Sequence, residues 1–226
     1  MDRGKSSVHG LLLTVAILCF AFLLPFGCQS LRQPKEYGAH DNWICPEFAD
    51  LPLRQGHFEE AIEQHLKVLS QEPDNGLAHY HLGYAYGQLG LHSDEVEQYL
   101  HALDLGMERG DLYYNLGMAY MELEEYLQAE QAFHQAVTLE PTCGENHRGL
   151  GLAQLKQEHY YESIVSCRTA SRLEPNDPDS WHCLALAAAK ADEIGESWTA
   201  VKKLRTLDPN YPLDPLLLKM FPSEKK

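Results

Sequence analysis

The side chains that could do chemistry in this chain are its 12 histidines, its 6 cysteines and a surplus of carboxylates, 33 acids against 18 bases. Imidazole combined with thiol or carboxylate is the vocabulary of metal sites and of general acid–base catalysis. The spacing does not assemble them. His79 and His81 are two apart, which on a helix points them in different directions. Cys143 and His147 are four apart across a loop-to-helix junction, with no further ligand at metal spacing. There is no His-Glu-x-x-His, no glycine-rich phosphate loop and no Gly-x-Ser-x-Gly elbow. Glu59-Glu60 and Glu124-Glu125 read as solvated hairpin turns. No catalytic residue, metal ligand or cofactor is therefore expected. Cys45 and Cys143 read as small buried apolar residues. Cys167 lies eight residues before Pro175 and Cys183 eight after it. Across an antiparallel hairpin those thiols stand at one height, a precondition for a disulfide.

The elements that would position these groups follow from composition and period. The chain has 226 residues, 44% hydrophobic and 23% charged, which suits one or two folded domains. A net charge of −15 makes nucleic acid a poor partner, because phosphate binding rests on Lys and Arg. Docking of the folded body on an anionic membrane by charge alone is disfavoured for the same reason.

The N-terminus differs from the rest. Arg3 and Lys5 precede an apolar run from Leu11 to Phe26. Its sixteen residues would span about 24 Å as a helix. That is short of the ~30 Å hydrocarbon core and reads as a signal peptide over 1–27. Gly27-Cys28-Gln29-Ser30 resembles the cleavage site of bacterial lipoproteins, although Pro25 stands where that family prefers Leu. The resemblance implies cleavage before Cys28, lipidation of Cys28 and, through Gln29, an outer-membrane lipoprotein facing the periplasm. A cut after Ser30, giving a soluble periplasmic or secreted protein, stays open, as does an uncleaved anchor. Residues 28–41 carry Pro34 and Gly38 with no apolar period and read as a tether.

The body is a repeat array. Prolines at 73, 141, 175 and 209 are separated by multiples of 34, with Met107 the missing member. Aligned at that period, residues 42–211 divide into 42–75, 76–109, 110–143, 144–177 and 178–211. The third unit carries Tyr113, Leu116, Gly117, Tyr120, Ala129, Phe133 and Pro141. The second has His79, Leu82, Gly83, Tyr86 and Tyr99; the fourth His147, Leu150, Gly151 and Pro175; the fifth Trp181, Leu184, Ala185 and Pro209. This pattern resembles the tetratricopeptide repeat (TPR). The resemblance implies an all-α, right-handed α-solenoid of about five 34-residue helix-turn-helix repeats. The first unit keeps Ala61 and Pro73, but Pro46 and Pro52 should break or shorten its first helix. Asp214-Pro215 is a good helix start, so 212–226 should supply a short capping helix and a tail.

In the TPR family the first helix of each hairpin lines the concave side and holds an extended peptide or a partner helix. The matching positions here are Tyr80, Tyr84 and Gln88; Tyr114, Met118 and Glu122; Arg148, Leu152 and Lys156; and His182, Leu186 and Lys190. The aromatic and Met half comes first and the cationic half second, which suits a ligand with an apolar stretch followed by acids. The resemblance implies a non-enzymatic protein–protein interaction scaffold, a membrane-tethered adaptor assisting assembly of an envelope or secretion complex. A soluble periplasmic or secreted chaperone, or a self-associating solenoid, is the alternative.

Overall fold

The structure, a computed structural model, describes residues 44–222, and every regular element among them is a helix. The signal segment, Cys28 and the tether lie outside the described residues. Five helical hairpins follow one another: α1 (Glu47–Gln55) with α2 (Phe58–Gln71), α3 (Gly76–Gln88) with α4 (His92–Asp104), α5 (Gly110–Glu122) with α6 (Tyr126–Leu139), α7 (Gly144–Lys156) with α8 (Tyr160–Leu173), and α9 (Pro178–Lys190) with α10 (Ile194–Leu207). A short α11 (Pro215–Met220) ends the array. Each second helix packs on its own partner and, up to α8, on the first helix of the next hairpin, so helix packing is continuous along the array. No helix among the described residues is long and apolar enough to cross a membrane.

The 34-residue period becomes a steric rule. A Cβ added at Gly83 would sit 2.7 Å from the Tyr99 ring, and one at Gly117 2.8 Å from the Phe133 ring. Small residues therefore appear where a large side chain from the second helix crosses the first. In the fifth unit the partner position holds the smaller Val201, and Ala185 is accommodated, both fully buried. The turn inside each hairpin uses a left-handed residue at the same offset: Gly56, Gly90, Glu124, Glu158 and Asp192, with φ between 59° and 76°. Leading aromatics are also explained. The Trp181 indole donates to the Pro175 carbonyl at 3.0 Å, and His147 and His79 place a ring nitrogen 3.0 and 3.1 Å from the carbonyls of Pro141 and Pro73. In these two units histidine takes the place of tryptophan as donor.

The ends are specialised. α1 has nine residues against thirteen in α3, α5, α7 and α9, begins after Pro46 and tolerates Pro52 within it. Asn75 caps α3 by accepting from the Ala78 amide, and its amide reaches the Ile44 carbonyl at 3.3 Å. At the other end Asp214 caps α11 and Leu217 is fully buried against the last hairpin. Phe221 stacks on Trp198 with ring centroids 5.1 Å apart.

Candidate functional site

Neighbouring first helices touch: α1 packs on α3, α3 on α5, α5 on α7 and α7 on α9. No comparable packing joins neighbouring second helices. The first helices are thus the closer-spaced inner layer, and the array curves toward them. The twelve positions expected to form a recognition face fall on α3, α5, α7 and α9, four successive elements of that layer.

Along each helix these positions grade from packed to exposed. Tyr80, Tyr114, Arg148 and His182 occupy the joints between units and are half-buried. The Asn115 amide donates to the Tyr80 hydroxyl at 3.2 Å, and the Arg109 guanidinium lies 5.2 Å over the Tyr80 ring. Tyr114 meets Phe133 edge-on at 5.6 Å. Burial, assisted by the Glu145 charge, pushes the Tyr114 hydroxyl up to about 12. One turn later, Tyr84, Leu152 and Leu186 are half-buried and Met118 is exposed. A further turn brings Gln88, Glu122, Lys156 and Lys190, all exposed. The outer two rows are the accessible surface.

The charge distribution differs from the expectation of a basic half. Arg148 is ringed by Glu145, Asp177 and Asp179 at 3.6, 3.7 and 3.8 Å. Burial disfavours its charge, but Tyr114 and those acids outweigh that and hold it above its ordinary value. Its positive charge is thus committed to joining α7 to α9. Lys156 and Lys190 remain as exposed cations of the outer row, with the Lys156 ammonium 5.9 Å over the Tyr126 ring. The His182 ring lies tilted against Tyr211 with centroids 5.2 Å apart, and burial lowers its basicity.

Cys167 and Cys183 are joined by a disulfide, with Cα atoms 5.6 Å apart. It ties α8 to α9 beside Gly151, where any Cβ would run into the Cys167 sulfur.

The tetratricopeptide repeat family matches residues 110–143, and the TPR repeat family matches 49–90. The fold is a tetratricopeptide-repeat solenoid. Among solved structures it resembles MamA, 23% identical with a TM-score of 0.68, over 74% of this chain and 93% of that one. It also resembles YrrB, described as a TPR protein with an unusual peptide-binding site, at 22% identity and TM-score 0.69, over 76% of this chain and 88% of that one. A third is MamA from Desulfovibrio magneticus, at 21% identity and TM-score 0.68, over 72% and 92% of the two chains. No curated protein matches the sequence.

Away from the inner face, the TPR array brings together four groups that the sequence did not connect. Cys45 precedes α1, Asp50 lies on α1, His65 on α2 and His81 on α3, and their ligand-type atoms all lie within 4.8 Å of one another. Asp50 Oδ1 is 3.3 Å from His65 Nε2 and 3.0 Å from His81 Nδ1. Burial alone would raise the Asp50 carboxyl, but the hydrogen bonds from His65 and His81 prevail and hold it well below the usual carboxylate range. Burial, then the Asp50 charge, push the Cys45 thiol up. Where no metal ligand was expected, four side chains of metal-binding types now converge. Their separations of 5, 15 and 16 residues match no short motif, so the spacing alone concealed them. The one legible signal was His81, an imidazole on a first helix two residues from the aromatic position taken by His79.

Proposed function

We propose that this protein is a non-enzymatic interaction scaffold that holds an extended or helical protein segment along the inner face of α3, α5, α7 and α9. The observation that carries the reading is the row Tyr84, Met118, Leu152 and Leu186. It is apolar, repeats at one position in four successive inner helices, and is only partly covered, with Met118 38% exposed. Partly exposed aromatic and Met side chains framed by polar groups are what recognition surfaces use. The resemblance in fold to YrrB, a TPR protein described as having a peptide-binding site, supports a peptide as the occupant. The segment this face suits is apolar opposite Tyr84 and Met118, with acids near Lys156 and Lys190.

The same proposal places the scaffold outside the cytoplasm, lipid-anchored through Cys28 and assisting an envelope or secretion complex. Its support is the basic-then-apolar N-terminus with Gly27-Cys28-Gln29, together with a disulfide of the kind kept in oxidising compartments. Photo-cross-linkers at Met118 and, as a control, at Lys202 on α10 test the face. A discrete adduct from Met118 alone, lost on Tyr84→Ala, is expected. Each of Tyr84→Ala and Met118→Ala should weaken the partner by ~1–3 kcal/mol. Adducts from Lys202 with full affinity in both variants would move the site to the outer helices. Fatty-acid labelling of wild type but not of Cys28→Ser tests the anchor, and its absence leaves the soluble exported form or an uncleaved apolar anchor, which membrane fractionation separates.

A further inference from the structure

We propose that Cys45, Asp50, His65 and His81 form a zinc site that staples α1 to α2 and α3 at the N-terminal end of the array. One thiol, one carboxylate and two imidazoles are the ligand types of tetrahedral Zn²⁺, with bonds of about 2.0–2.3 Å. A tetrahedron with those bonds has edges of about 3.4–3.6 Å. The nitrogen–oxygen separations of 3.3 and 3.0 Å, and the 4.8 Å limit on the whole set, already approach that size. Little movement is needed to admit an ion.

The protonation pattern points the same way. His65 is fully buried, and its Nδ1 lies 2.8 Å from the Ala61 carbonyl, which can only accept. Nδ1 therefore carries a proton, and Nε2, which faces Asp50, is the atom turned to the cluster. A ring N–H held by a backbone carbonyl is the support that zinc-binding histidines use to orient the opposite nitrogen. Asp50 Oδ1 is faced by two imidazoles at once, and the buried Cys45 sulfur adds a donor that a His–Asp–His hydrogen-bond chain does not need. Zn²⁺ with a thiolate, a carboxylate and two neutral imidazoles sums to zero charge, the state a buried site favours. Binding displaces to solvent the Cys45 proton and any proton held between Asp50 and the ligating nitrogens of His65 and His81. With all four positions held by protein, the site is structural.

The location supplies a purpose. α1 is the shortest hairpin helix, has Pro52 within it, and rests on a small core of Cys45, Ala49, Val68 and Ala78. Repeat arrays need a sealed end, and metal binding adds its free energy to folding directly.

The test uses the purified full chain, stripped with a chelator and then titrated with Zn²⁺ or Co²⁺. The expected results are one tight zinc per chain, a tetrahedral cobalt spectrum with a thiolate charge-transfer band, and zinc protection of Cys45 from alkylation mapped by mass spectrometry. Cys45→Ala should abolish the band. His81→Gln should weaken zinc by at least about 100-fold, more than losing a merely supporting group does. His79→Gln, on the same helix but turned away, should bind like wild type. The wild-type cobalt and alkylation results decide the matter even if a variant fails to fold. Absence of tight zinc, a cobalt spectrum without the thiolate band, or unprotected Cys45 would overturn the site. So would a folded His81→Gln that binds as wild type does.

Discussion

At the N-terminal end, α1, α2 and α3 meet around Cys45, Asp50, His65 and His81. At the C-terminal end, α8 and α9 meet around the Cys167–Cys183 disulfide, and α11 closes the array with Leu217, Phe221 and Trp198. The apolar core differs accordingly. The C-terminal cluster joins Ile164, Leu184, Val201 and Leu217 with a run of alanines, whereas the N-terminal one has Val68 as its largest buried apolar side chain. A repeat inside the array is covered on both sides by its neighbours, but an end is covered on one. The C-terminal end meets that need with an added helix and a covalent bond. The N-terminal end uses a shortened helix and a polar cluster whose strength depends on charge and on what it binds. Stability at one end should therefore answer to redox conditions, and at the other to pH and metal.

The largest expected effect is covalent. Cys167 and Cys183 close a loop of sequence separation 16, and constraining such a loop in the unfolded chain is worth about 3 kcal/mol. Cys167→Ala with Cys183→Ala should lower stability by about that amount in urea titration. Hydrogen exchange should show the loss in α7–α10, with α1–α3 nearly unchanged. Equal loss across all helices would mean that the ends are not independent.

The second effect addresses the opposite end. In chelator, Asp50→Ala leaves two imidazoles without their shared acceptor, at a cost of about 1–3 kcal/mol. Exchange should accelerate in α1–α3 alone. Because the folded carboxyl is held below its ordinary value, its contribution is complete above the usual carboxylate range and is lost as pH falls toward the depressed value. Wild type should thus lose protection at this end on acidification while α7–α9 persist. An acid response confined to the C-terminal end would reverse the comparison.

Which parts were legible in the sequence follows from where their determinants sit. The hairpins, the turn at Glu124, the cap begun by Asp214 and the opposition of Cys167 to Cys183 depend on residues within one period of each other. A 34-residue register exposes them. The ring of acids about Arg148 comes from Glu145 on its own helix and from Asp177 and Asp179 at the start of α9. A face read helix by helix shows the cation without its counter-charges. The zinc-type cluster needs the path of α1, the one unit where Pro46 and Pro52 disrupt the pattern, and so the period carried no information there.

A third effect is a gain, and it lies in the second hairpin, next to the N-terminal end. Position 95 holds Glu where the first and third units have Ala61 and Ala129. Glu95 is only 8% exposed, and a Cβ on Gly87 would lie 2.3 Å from its carboxylate. Burial raises its carboxyl above the ordinary value, against the hydrogen bond from His92. A raised folded value means a penalty absent at pH below the unfolded value and growing as pH rises through the folded one. Glu95→Ala should stabilise by ~0.5–2 kcal/mol at neutral pH, with the gap to wild type closing on acidification. A gap independent of pH would assign the gain to packing alone.

The smallest effect runs along the whole array, because the hairpin turns also divide by end. The first two left-handed positions are Gly56 and Gly90; the last three are Glu124, Glu158 and Asp192, with φ of 59°, 66° and 63°. A side chain in that region costs roughly 1–2 kcal/mol, since its Cβ crowds the following carbonyl. Glycine removes the crowding but has more freedom to lose on folding, about 0.5–1 kcal/mol. The net gain from Glu124→Gly should be a few tenths of a kcal/mol up to about 1. The triple variant with Glu158→Gly and Asp192→Gly should raise the urea midpoint visibly. Gly90→Ala should lose about 1 kcal/mol, since the empty space around it leaves only the backbone to object. If Gly90→Ala were neutral while the triple variant lost stability, backbone conformation would not govern these turns. Their side chains would then have to act through the charge they bring to the hairpin tips.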